Sequence, residues 1–128
     1  MKCHSCKNKK LKYTRYCLDC YIKECVRKTL KVTNTEEKET LKEQLLNKLI
    51  LQNYSCAYTG FTLVPGVNMS LDHIIPSSKD PERLTDITNL VWVDITCNMA
   101  KRNLHPSQFM ALCKAVVNKQ SEILQEVT

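Results

Sequence analysis

The sequence predicts an α+β protein behind an N-terminal zinc-binding module, and three observations carry that expectation. Two Cys-x2-Cys pairs, Cys3/Cys6 and Cys17/Cys20, lie within the first 30 residues. Leu41, Leu45 and Leu49 recur at helical spacing inside a segment rich in Glu, Lys and Gln. From Tyr54 onward the chain breaks into short apolar pieces separated by turn residues, the texture of brief strands.

The cysteines come first in the chain and in the argument. Eight cysteines would suggest disulfides in an exported protein, but the first fifteen residues are basic and polar rather than signal-like, so thiolate ligation of a metal is the better reading. Four thiolates close a tetrahedral site, which predicts one structural zinc held by Cys3, Cys6, Cys17 and Cys20 in a ribbon-like or knuckle-like module. The knuckles "CHSCK" and "CLDCY" lack the glycine often found after the second cysteine. Without metal the segment has almost no core, so the zinc either staples it or builds a DNA-grasping module. His4, inside the first pair, reads as an exposed knuckle residue rather than a ligand. "CYIKECVRKTL" continues the module into a short helix.

Thr33 followed three residues later by Glu36 reads as a capping box, and a helix follows from about 35 to 52. Pro65-Gly66 and Val67-Asn68 mark a turn, which predicts a loose hairpin between "CAYTGFTL" and "MSLDHIIP". "LVWVDITCNMAKRNL" begins as a strand and turns helical near Asp94 to Cys97; Pro106 breaks that helix and starts another, from about 106 to 125, with Phe109, Leu112, Val116 and Val117 on one face. Trp92, Cys25 and Cys113 read as core. Cys56 and Cys97 read as neighbouring buried thiols without a second zinc. The expected organisation is a zinc module over residues 1–30, a helical connector over 31–53 and a catalytic-looking unit over 54–128.

Charge is concentrated at one end. Residues 1–31 hold ten Lys/Arg against Asp19 and Glu24, whereas residues 32–128 hold nine against eleven acids. Basic residues interleaved with Tyr13, Tyr16 and Tyr21 suit a polyanion, with Lys9, Lys10, Lys12 and Arg15 as the expected phosphate contacts. No apolar run reaches the roughly 18 residues a membrane span needs, so the expectation is a cytoplasmic protein with no membrane partner.

Four residues in the second half form a pattern: Asp72-His73 in "SLDHIIPSS", at the end of a short apolar strand, Asn89 in "TNLVWV", and Asn98 in "CNMAKRN". This pattern resembles the HNH endonuclease family over roughly residues 54–113. The resemblance implies a small ββα-metal core flanked by helices, whose first strand ends in Asp-His, whose loop carries a central Asn and whose helix supplies a last His or Asn. Many such proteins also carry a structural zinc within this unit, on two further cysteine pairs. This chain keeps Cys56 and Cys97 but has Thr59 and Asp94 where their partners would stand.

By resemblance, His73 is the general base, Asp72 and Asn98 hold a divalent ion, Mg²⁺ by its preference for hard oxygen ligands, and Asn89 braces the loop that orients His73. Lys101 and Arg102, three and four residues beyond Asn98, would share its helix face and grip phosphate. His105, just before Pro106, reads as a helix-end residue or a phosphate contact. Adjacent residues on a regular strand face opposite ways, so the strand must end or bulge at Asp72-His73 for both to serve one site. The implied activity is metal-dependent hydrolysis of DNA phosphodiesters, by nicking or double-strand cleavage, leaving 5′-phosphate and 3′-hydroxyl ends. Homing, restriction, junction-resolving and phage-packaging roles stay open, as does RNA as substrate. A double-strand cut would need a homodimer. The competing reading is a zinc-module DNA-binding protein on a non-catalytic scaffold of the same kind.

Overall fold

A computed structural model describes residues 1–127. It contains four helices, α1 (Leu18–Leu30), α2 (Thr35–Leu51), α3 (Ile95–Lys101) and α4 (Pro106–Val127), and one two-stranded antiparallel sheet, β1 (Met69–His73) with β2 (Leu90–Asp94).

Helix α1 forms where Leu18, Ile22, Val26 and Leu30 repeat every four residues, and it ends at Lys31 in the left-handed conformation, φ 59°. Helix α2 places Leu41, Leu45 and Leu49 on its buried face. Its cap is Asn34, whose side chain accepts from the Glu37 N–H at 2.9 Å, rather than the expected Thr33 with Glu36; the start is one residue later than the capping box implied. The two helices pack on each other, and their apolar stripes join Leu63, Met69, Leu71, Leu90, Trp92 and Val93 in one hydrophobic cluster. The residues after the second cysteine pair are therefore part of the main core.

The expected hairpin is not formed. β1 pairs with β2 across the long loop, in register Met69↔Asp94 through His73↔Leu90, while "CAYTGFTL" folds into a local turn closed by a single bridge between Ser55 and Thr62. The reason lies in Asn68. Its side chain accepts from the Val64 N–H at 2.7 Å and donates to the Thr62 carbonyl and the Asp94 carboxylate, which ties the 64–68 turn to the end of β2 instead of letting it join two strands. Along the outer edge of β2, the Gln52 amide accepts from the Trp92 N–H at 3.0 Å and donates to the Trp92 carbonyl at 2.8 Å. Trp92 itself is fully buried, its indole N–H donating to the Leu45 carbonyl.

Helix α4 begins at Pro106, as expected, but only its start packs on the core. Phe109 is buried and meets Tyr58 edge-on at 6.1 Å, whereas Leu112, Val116 and Val117 are exposed. Of the four residues on the expected face, Phe109 alone is buried.

Candidate functional site

Two constellations stand out. The first is the cysteine cluster. The sulfurs of Cys3, Cys6, Cys17 and Cys20 all lie within 4.8 Å of one another, and among the described residues this is the one group of three or more His, Cys, Asp or Glu side chains placed to hold a metal. Cys3 and Cys6 come from a tight knuckle in which the Lys7 N–H donates to the Cys3 carbonyl at 3.1 Å; Lys7 takes the left-handed conformation, φ 65°, that glycine commonly supplies there. Cys17 and Cys20 come from elsewhere in the repertoire. Cys17 caps α1 and Cys20 lies in its first turn, so the second pair sits at a helix N-terminus rather than on a ribbon hairpin, and the helix dipole favours thiolates there.

The electrostatics of the cluster point the same way. Burial raises the Cys3 thiol, but N–H groups of Cys17, Ser5 and Cys6 aimed at its sulfur outweigh that and hold it down to about 6. Cys20 is pushed up, by burial first and then by its thiol neighbours, and Cys17 is raised by burial. Four thiols this close cannot all ionise unless a cation compensates them. A zinc ion does that, and the donor set fits it.

The second constellation is a cleft of about 160 Å³ lined by Asp72, His73, Pro76, Ser77, Asn98 and Arg102. His73 is the last residue of β1, so the chain bends away just where Asp72 and His73 must share one space. The ring Nε2 of His73 lies 2.8 Å from the Leu84 carbonyl. A carbonyl can only accept, so Nε2 carries the proton and the neutral ring keeps its lone pair on Nδ1.

Asn89 holds the loop beyond His73 with both ends of its amide. Oδ1 accepts from the Ile75 N–H at 2.9 Å and Nδ2 donates to the Ile75 carbonyl at 3.0 Å, with Asn89 itself 1% exposed. Helix α3 is positioned by Asp94, whose carboxylate accepts from the Thr96 N–H at 2.8 Å as the cap and from Asn68. Those bonds, Asn68 first, hold the Asp94 carboxyl below the ordinary carboxylate range. On α3, Asn98 donates through Nδ2 to the Ser70 hydroxyl at 2.6 Å, which leaves its carbonyl oxygen as the available ligand atom. Arg102, just past the helix, is exposed and makes no hydrogen bond or ion pair with another side chain among the described residues.

Lys101 does not share that position, and the expectation that it grips phosphate is corrected. It is 0% exposed, its ammonium 3.2 Å from Asp72 Oδ2 and 3.0 Å from the His73 carbonyl. Tyr58 donates to the same carboxylate at 3.2 Å. Burial pushes the Asp72 carboxyl above its ordinary range against the opposing pull of Lys101 and Tyr58, and Tyr58 is raised by burial and by Asp72.

Of the remaining basic residues, Lys9, Lys12 and Arg15 are exposed, whereas Lys10 folds back so that its ammonium donates to the Leu11 carbonyl at 3.0 Å. His105 caps α4, its Nδ1 accepting from the Ser107 N–H at 3.2 Å. Cys56 and Cys97 are neighbours: the Cys97 thiol is pushed up to about 11, by burial first and then by Cys56.

The sequence reading missed Lys48. It lies on what looked like a solvated face of α2, yet its ammonium donates to the Ile87 and Leu90 carbonyls, fastening the turn that carries Asn89 to α2. Burial lowers its pKa. No one-dimensional signal separates this lysine from its charged neighbours.

A scan against models of known protein families finds no match, and a search of curated proteins finds none. No helix among the described residues is long and apolar enough to cross a membrane.

Proposed function

We propose that the chain is a metal-dependent endonuclease of the HNH type, with a structural zinc in its N-terminal module and DNA as substrate. The observation that carries this reading is the convergence of Asp72, His73, Asn98 and Arg102 on one cleft, with the His73 lone pair on Nδ1. Phosphodiester hydrolysis needs a base for the attacking water and positive charge for the phosphoryl oxygens. Nδ1 of His73 takes the water's proton while Nε2 stays anchored to the Leu84 carbonyl, so the ring gains charge without turning. Asn89 keeps that ring in place by fixing the backbone two residues on. Arg102, unengaged in any hydrogen bond or ion pair with another side chain among the described residues, can pair two oxygens of the phosphate beside the scissile bond.

The donor set suits a hard divalent cation. Asp72 and the carbonyl oxygen of Asn98 would hold a Mg²⁺ ion that keeps several waters, and when bound it would supply charge stabilisation to the phosphoryl oxygens. Lys101 shares the Asp72 carboxylate, leaving its unshared lone pairs for such an ion, and so argues for a weakly held one. That same pair is the observation favouring the second reading, a DNA-binding protein whose cleft no longer cuts: the Lys101 ammonium already neutralises the carboxylate.

Supercoiled plasmid incubated with purified protein, in Mg²⁺ or in EDTA, separates the two. The nuclease reading expects nicked product in Mg²⁺ alone, lost by roughly 10²–10⁴-fold in His73→Ala with DNA affinity retained. One cleft cuts one strand per encounter, so linear product would mean that two copies act together. Binding without cleavage, on plasmid and on branched DNA alike, would favour the scaffold reading.

A further inference from the structure

A second concavity, of about 360 Å³, lies between the zinc module and α1, away from the residues that line the cleft. Three tyrosines, Tyr13, Tyr16 and Tyr21, line it together with Arg15, Lys28 and Glu24. Its floor is built with care. The Thr14 hydroxyl accepts from the Tyr16 N–H at 2.9 Å and donates to the Tyr16 carbonyl at 2.7 Å, which fixes the 13–16 loop, and Tyr21 is tied by its hydroxyl to the Met69 carbonyl at 3.3 Å. Gly66 closes one side in the left-handed conformation, φ 83°; a Cβ there would lie 2.5 Å from the Tyr13 carbonyl oxygen, so only glycine lets the turn approach this closely.

The chemistry of the wall selects the ligand. The one carboxylate, Glu24, is gripped by Arg27 at 2.5 Å and lies 4.0 Å from Lys28, so it offers little to a cation. Arg15, by contrast, is exposed and makes no hydrogen bond or ion pair with another side chain among the described residues, and Lys12 lies over the Tyr13 ring at 5.2 Å. The Tyr13 ring beneath the Lys12 ammonium, with Arg15 beside it in the same lining, matches a group that is flat on one side and anionic on the other, which is a nucleotide. Lys9 and Lys12, exposed in the same N-terminal module, add the positive charge that a strand of phosphates requires.

Resting on the nucleic-acid reading above, we infer that this pocket takes one unstacked nucleobase of the bound strand, stacked on tyrosine with its phosphate on Arg15. Placement relative to the cleft supports the assignment. Tyr21, which lines the pocket, is bonded to the first residue of β1 and His73 is the last, a rise of about 13 Å at roughly 3.3 Å per residue. A base held here would set which phosphate reaches His73.

The test uses zinc-loaded full-length protein in Mg²⁺-free buffer, titrated into oligonucleotides carrying 2-aminopurine, single-stranded and fully duplex, and into 2-aminopurine nucleoside monophosphate. Tyr13 is 55% exposed and Arg15 is exposed, so Tyr13→Ala and Arg15→Gln leave the core untouched. Tyr13→Ala should weaken single-strand binding by roughly 5- to 150-fold while duplex affinity changes less than about twofold, and Arg15→Gln, which also removes a phosphate contact, should weaken both but the single strand more. Equal losses on both substrates, or no loss, would overturn the pocket while leaving the nuclease reading standing. Binding of the monophosphate as tight as the strand would replace the strand with a free nucleotide. Wild-type protein that binds none of the three would sink the nucleic-acid reading and this inference together.

Discussion

The cysteine cluster and the cleft at the end of β1 handle buried charge in opposite ways. The first gathers four acidic thiols within 4.8 Å and leaves the balancing charge to an ion from outside. The second buries one carboxylate and supplies its cation from the chain, as Lys101. The contrast teaches what each site is free to do. A thiol cluster that cannot ionise alone is a commitment to metal, made in a stretch that carries little apolar mass. A carboxylate already balanced by lysine holds together without metal.

Removing zinc should have the largest effect. Structural zinc sites are worth about 10–16 kcal/mol in isolated modules, which matches the entire stability of a domain. Because Ile22, Val26 and Leu30 of α1 lie in the shared core, Cys17→Ser or strong chelation should unfold far more than the first thirty residues. Circular dichroism beside metal analysis reads this, and a chain that loses its zinc with an unchanged melting temperature would erase the contrast. Breaking the internal pair comes next. Lys101→Met should cost about 3–5 kcal/mol by denaturant titration, and adding Asp72→Leu should recover much of it, since an apolar pair of similar size often replaces a buried ion pair at no loss. If the single variant is as stable as the parent, Asp72 is not held by Lys101.

The smallest effect belongs to Asp94. Its native pKa is depressed, so its contribution is fully present above the unfolded carboxylate value near 3.9 and is lost as pH falls through the native value. Asp94→Ala should lower the melting temperature by a few degrees at neutral pH and by less in acid, where the parent has already lost the same bonds. A difference that grows toward low pH would contradict the assignment.

Much of this was legible in one dimension, for identifiable reasons. The CxxC spacing is a local constraint on sulfur positions, and the α2 leucines state a helix face outright. Asp72, His73 and Asn98 could be grouped because the motif they resemble is itself a set of spacings. What failed depended on contacts between distant segments. The hairpin expected at Pro65-Gly66 gave way to Asn68, which bonds Thr62, Val64 and Asp94 at once. Lys101 and Lys48 looked like surface lysines because residue type carries no record of where a short helix turns its last side chain, or which carbonyls a loop leaves unpaired. Along α4, apolar periodicity gave the helix, but spacing cannot say how much of its stripe meets the core.

The amide of Gln52 has a reach beyond its own bonds. A sheet of two strands has nothing but edges, and an open edge is a template on which the strand of another molecule can grow. By meeting both the N–H and the carbonyl of Trp92, Gln52 stands in for the missing third strand at the middle of β2. A glutamine side chain cannot be extended in turn, so the ladder stops there, and this small sheet is guarded at that point against recruiting copies of itself.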